Sequence, residues 1–177
     1  MDVDSVFTIT NGVLHVSGKN FGYICTKKTF SEFHLRVEFK WGEKKYPPRD
    51  ADTTRRDSGI LYYVTGKDTV WPRSIECQVQ EGDVGDFWLI DSTTLTVDGT
   101  RPLPTKNQRV IKKKDAERPH GEWNVVEVIA RKGKVTHIVN GAVVNEGDDP
   151  NVRQGRILIQ SEGAEIYYRK IEIAESK

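Results

Sequence analysis

"FHLRVEFKW", residues 33–41, alternates without a break: Phe33, Leu35, Val37, Phe39 and Trp41 fall on one side, His34, Arg36, Glu38 and Lys40 on the other. Successive side chains of a strand point to opposite faces, so this stretch predicts a β-strand with one apolar and one polar face. A helix would scatter the same apolar residues around its axis.

Strand signals recur in "GVLHVSG" (12–18), "FGYICTKKTF" (21–30), "SGILYYV" (58–64) and "SIECQVQ" (74–80). "WNVVEVIARKGKVTHIVNGAVVNEG" (123–147) reads as strands reversed at Lys132-Gly133 and Asn140-Gly141, and "GRILIQSEGAEIYYRKIEI" (155–173) as a pair around Glu162-Gly163. No stretch outside the loops keeps a 3.6-residue apolar period over three turns. About ten to twelve strands with turn chemistry between them predict an all-β fold with little helix, a two-sheet sandwich or jelly roll. Residues 42–57 and about 91–122 resist a strand reading; loops this long are usually functional or disordered, and either can wall a cleft.

The 177 residues suit one domain, 1–177, long enough to bury a core. The 27 basic and 26 acidic side chains nearly cancel, so no global field points to nucleic acid or an acidic membrane. Lys112-Lys113-Lys114 lacks interleaved aromatics and reads as a solvated loop. No apolar run approaches the ~20 residues of a membrane span, and no charged-then-apolar leader follows Met1, so a soluble chain is expected. Cys25 and Cys77 fit no metal-ligand spacing; Cys77, in the apolar register of its strand, reads as a buried thiol rather than half of a disulfide.

In "SIECQVQEGD" (74–83), Ile75, Cys77 and Val79 form the apolar face, while Ser74, Glu76, Gln78 and Gln80 share the other. That row is either the wet side of a sheet or the floor of a site. Repeated Gln, a weak strand former, favours the floor. A retaining glycosidase needs two carboxylates ~5 Å apart, and the positions after Glu76 are amides, which orient hydroxyls but move no proton.

In order and spacing, "FHLRVEFKW", "DSGILYYV", "SIECQVQEGDVGDFWLI", "PHGEWNVVEVIARKGKVTHIVNGAVVNE" and "GRILIQSEGAEIYYRKIEI" resemble the successive signatures of the 3-keto-disaccharide hydrolase domain family, over Phe7 to Ile173. The resemblance implies a concanavalin-A-like jelly roll of two curved antiparallel sheets with the site on the concave one. It also implies an oxidised di- or oligosaccharide as partner, cleavage of glycosides already oxidised at C3, and export to the periplasm or outside. A 3-keto group acidifies the C2 proton, so one base, one oxyanion donor and one acid suffice.

For that chemistry Glu76 is the candidate base, Arg56 the holder of the enolate oxygen and His120 the acid. Asp57, Gln78, Gln80, Glu81, Asp86, Trp88 and the rim residue Trp71 are candidate sugar contacts, with Tyr62, Gln160 and Arg169 open between site and scaffold. Trp123, in apolar register, reads as core, and His15, His34 and His137 as surface residues. No cofactor is required; Glu81, Asp83 and Asp86 in "EGDVGDFW" admit either turn chemistry or a divalent cation such as calcium. Two rival functions stand beside the enzyme: a non-catalytic carbohydrate-binding module, and a laminin-G-like interaction domain. Oligomeric state leaves no trace in the sequence.

Overall fold

The computed structural model describes residues 6–175, none of them helical. Thirteen strands form: β1 Phe7–Thr10, β2 Val13–Val16, β3 Gly22–Cys25, β4 Phe33–Lys45, β5 Asp57–Thr65, β6 Arg73–Gln80, β7 Phe87–Ile90, β8 Asn107–Val110, β9 Asn124–Arg131, β10 Lys134–Val139, β11 Ala142–Asp148, β12 Arg156–Ser161 and β13 Ala164–Glu175. They build an antiparallel seven-stranded sheet, β1-β2-β13-β4-β9-β10-β11, facing a six-stranded sheet, β3-β12-β5-β6-β7-β8. This is the jelly-roll sandwich of two antiparallel sheets that the alternation and the resemblance predict. No helix is long and apolar enough to cross a membrane.

The three expected reversals join β9 to β10, β10 to β11 and β12 to β13. Lys132, Asn140 and the glycines at 133, 141 and 163 all adopt positive φ there. Residues 42–57 are not wholly loop, because β4 runs on to Lys45, and residues 91–122 contain β8.

Between the sheets lie Phe33, Val37, Phe39, Ile75 and Cys77, whose register marks them as core, together with Ile60, Phe87, Val126 and Tyr168. Both cysteines are free. His137, expected at the surface, is wholly buried: its Nδ1 lies 3.0 Å from the Gly85 carbonyl and its Nε2 3.0 Å from the Tyr62 hydroxyl. Burial holds its pKa down to about 4, so the ring is neutral; Nδ1–H donates to Gly85 and Nε2 accepts from Tyr62. Tyr62→Phe would leave Nε2 buried without a donor and is expected to cost about 1–3 kcal/mol, read as a fall in urea midpoint at constant slope.

Trp123 is only half-buried, because it lies on the outer face of the seven-stranded sheet with the Arg169 guanidinium 3.9 Å and the Lys40 ammonium 5.4 Å from its ring centre. Lys112 is no solvated lysine either: its ammonium donates to the Gly82 carbonyl and to Asp115.

Candidate active site

The six-stranded sheet is buried on both faces. In β6 every residue from Ser74 to Val79 is buried, the apolar ones inward and Ser74, Glu76 and Gln78 outward. A second apolar cluster lies on that outward face, formed by Leu61, Val64, Ile90 and Leu158 with Tyr23, Cys25 and Trp88 against it. The cover comes partly from residues 66–72, between β5 and β6. Asp68 pairs with Arg156 at 2.8 Å, the Val70 carbonyl accepts from Gln160 Nε2 at 3.1 Å, and Trp71 Nε1 donates to Glu162 Oε1 at 2.8 Å.

Beside this cover lies a cavity of about 230 Å³, lined by Asp57 of β5, Glu76, Gln78 and Gln80 of β6, Trp88 and Ile90 of β7, Asn107 of β8, Arg49, Trp71 and Glu162. Alternation explains the set. Asp57, Gly59 and Leu61 share one face of β5, and Gly59 pairs with Gln78 while Leu61 pairs with Glu76. Gly59 is required by space: a Cβ there would overlap Gln160 Oε1 and Glu76 Oε1. At the opposite wall Gly163, at φ +84°, turns β12 into β13 and lets the Arg49 stem pack where a side chain would stand. Trp71, 48% exposed, stands at the rim with Phe21 edge-on to it.

Three carboxyls and one guanidinium dominate the cavity. Asp57 accepts from Gln78 Nε2 at 3.1 Å, from Gln80 Nε2 at 2.7 Å and from Arg49 Nη2. Burial still outweighs those partners and lifts its pKa above the usual carboxylate range. Burial also raises Glu162, with Asp57 adding to the rise while the Trp71 N–H and Arg49 oppose it. Glu76 is raised most firmly, by burial first and then by Glu162 and Asp57, and no hydrogen bond to its carboxyl is made among the described residues. Arg49 Nε, Gln78 Oε1 and Gln160 Oε1 are buried without a protein partner.

The raised acid makes stability depend on pH in a known sense. The unfolded chain releases the Glu76 proton near 4.5, whereas the native state keeps it to higher pH. Between those values the unfolded state binds fewer protons, so stability falls as pH rises. Glu76→Gln is therefore expected to raise the melting temperature relative to the parent by more at pH 8 than at pH 5, in calorimetry.

Of the sequence-predicted residues, Glu76, Asp57, Gln78, Gln80, Trp71 and Trp88 meet at this cavity, and Gln160 abuts it through Glu76. The others do not. Arg56, one residue off the Asp57 register, turns away: it donates to the Gly42 and Glu43 carbonyls and pairs with Glu81 Oε1 at 3.0 Å. His120 stands between Glu81 and Glu43, at 3.3 and 3.2 Å. Arg56, His120 and Glu81 thus form an ion-paired group of their own. Tyr62 points into the core toward His137, and Arg169 lies on the other sheet, paired with Glu38 at 2.6 Å.

Asp86 is wholly buried and fixes Arg109 Nε and the Lys112 amide, while Asp83 pairs with Arg55 and Arg109. The carboxylates of the 81–86 turn are thus committed to arginines. Among the described residues no group of three or more His, Cys, Asp and Glu is placed to hold a metal ion.

Arg49, Glu162, Ile90 and Asn107 escaped the sequence reading. Glu162 and Ile90 carried a signal, since each lies two residues beyond a candidate, Gln160 or Trp88, and alternation puts it on the same face. Arg49 lies in a loop, where no period reports direction.

Residues 2–174 match the family model of the 3-keto-alpha-glucoside-1,2-lyase-like domain. The chain belongs to this family. No curated protein matches it. Among solved structures the lyase-like domain is similar to a candidate glycosyl hydrolase of Parabacteroides distasonis ATCC 8503, at 20% identity and a TM-score of 0.69, covering 98% of this chain and 91% of that one. It is also similar to the carbohydrate-binding module CBM66 of Bacillus subtilis, at 10% identity and a TM-score of 0.69 over 96% and 91% of the two chains. The Bacillus licheniformis β-glucanase follows at 10% identity and a TM-score of 0.56, over 98% and 83%. Identities this low establish the shared jelly roll, and the family model places the lyase-like domain among carbohydrate-related proteins.

Proposed function

We propose that this domain cleaves 3-keto-glycosides in the cavity between Trp71 and Arg49, by removal of the C2 proton and elimination of the C1 substituent. The carrying observation is the group Asp57, Glu76 and Glu162, three desolvated carboxyls around a single guanidinium. Carboxyls held near neutral charge balance in a cleft are suited to moving protons, whereas recognition of hydroxyls alone would need only amides and aromatic faces.

One carboxylate takes the C2 proton, and the electron pair forms an enolate whose oxygen, on C3, the Arg49 guanidinium can hold. As the enolate collapses back to the ketone, a C1=C2 double bond forms and the C1–O bond breaks. The departing oxygen takes a proton from a second carboxyl. Water added across the double bond would then complete a net hydrolysis. Arg49 here takes the role that the sequence suggested for Arg56, and the Glu76–Glu162 pair replaces His120 as proton source. Asp57, fixed by Gln78, Gln80 and Arg49, serves to hold the guanidinium. Family membership and the carbohydrate-related neighbours favour an exported protein acting on oxidised di- or oligosaccharides.

The test is incubation with matched panels of 3-keto and unoxidised disaccharides, following release of the second sugar by chromatography. Release from the oxidised panel alone is the expected outcome. Binding without cleavage of either panel would instead identify a carbohydrate-binding module.

A further inference from the structure

Glu76 and Gln160 pose a problem of proton count. Glu76 is 4% exposed and Gln160 fully buried. Gln160 donates its Nε2 to the Val70 carbonyl at 3.1 Å, which fixes the amide orientation, since a flipped amide would set two acceptor oxygens face to face there. Its Oε1 is thereby turned to the point above Gly59 that Glu76 Oε1 also crowds, and it has no donor. An ionised Glu76 would set its Oε1 against a carbonyl oxygen that has no donor, with no protein hydrogen bond to the carboxylate, which is unfavourable for a desolvated charge. One proton on Glu76 removes both deficits, because the acid O–H then donates to Gln160 Oε1.

We propose that Gln160 is a positioning residue that keeps Glu76 a neutral carboxylic acid in the resting site, which makes Glu76 the acid and Glu162 the base of the reaction. The assignment of roles rests on the elimination proposed above; the protonation of Glu76 does not. Burial raises Glu162 as well, to about 8, but unlike Glu76 it has groups that favour its ionised form, the Trp71 indole N–H and the nearby Arg49. The groups facing Glu76 are neutral or acidic apart from Arg49, whose ion pair is with Asp57: Glu162 from the β12–β13 turn, Asp57 from β5, and behind the sheet the Cys77 thiol and the Tyr168 phenol. Two carboxyls whose surroundings separate their proton affinities divide naturally into acid and base. In the forward step Glu162 takes the C2 proton and Glu76 gives its own to the departing C1 oxygen; solvent exchange then restores both.

Infrared difference spectroscopy on the substrate-free protein at pH 7 tests the protonation. A protonated-carboxyl C=O band present in the parent, absent from Glu76→Gln and displaced in Gln160→Met is the expected result; no such band lost in Glu76→Gln overturns the proposal. The Glu76→Gln comparison stands even where Gln160→Met fails to fold. If the protein cleaves 3-keto-glycosides, Gln160→Met is further expected to move the high-pH fall in kcat/KM to lower pH by about one unit, the worth of one hydrogen bond to the neutral acid. A lowered plateau with that limb unmoved would reduce Gln160 to scaffold. The spectra need no substrate, so loss of the lyase reading leaves the protonation test standing, and activity without the band overturns both the protonation and the role assignment while leaving the lyase reading intact.

Discussion

Glu76→Gln is expected to lower the rate of 3-keto-disaccharide cleavage by about 10² to 10⁴, the usual worth of a positioned proton-transfer group. The substitution is nearly isosteric, Glu76 has no ion pair in its pocket to lose, and an amide N–H can replace the acid O–H as donor to Gln160 Oε1, so the fold should be kept. Substrate binding should change little, because the amide still fills the space above Gly59. A fall in kcat with KM unchanged is therefore the signature, accompanied by the higher melting temperature at pH 8 argued above. Steady-state kinetics on one oxidised disaccharide checks the first and calorimetry the second. Full activity in Glu76→Gln would remove Glu76 from the chemistry.

Arg49→Gln should have an effect of similar size for two separable reasons. Among the described residues the guanidinium is the one cation lining the cavity, so its loss should cost about 10² to 10³ in rate through the enolate oxygen. It also pairs with Asp57, a carboxylate only 4% exposed, and the loss of a charged hydrogen bond there should cost about 1.5–3 kcal/mol of stability, read by urea unfolding. Arg56→Gln is the matched control. It breaks the Glu81 pair and two carbonyl contacts, away from the cavity, so the rate per folded molecule should hold. A lost rate in Arg56→Gln with a normal one in Arg49→Gln would restore the original assignment and move the site.

Most of the fold was legible because alternation is a local property. The apolar register of 33–41 and 74–80 carries directly into the core, and glycine-bearing turns placed three reversals. The row Glu76, Gln78, Gln80 was legible in the same way. The errors have a common physical origin. Arg56, the candidate enolate holder, and Tyr62, open between site and scaffold, each lie one residue off the Asp57, Gly59, Leu61 face, so period two already argues against both. A lone histidine on a strand reads as polar, hence the surface expectation for His137, and only the opposite side of the sandwich supplies the Tyr62 hydroxyl and Gly85 carbonyl that let it be buried. Arg169 and Trp123 found each other across strands distant in sequence, which no local pattern reports. Arg49 is the hardest case, since its direction is set by a loop and by the space left at Gly163.

One measurement bears most directly on the claim that this cavity eliminates rather than merely binds. A 3-keto disaccharide incubated with the protein in deuterated water and followed by NMR reports both bond cleavage and the fate of C2–H. The expected result is release of the second sugar with the oxidised fragment either unsaturated between C1 and C2 or carrying deuterium at C2. Cleavage with the original C2 proton retained, or equal cleavage of the unoxidised disaccharide, would contradict the account.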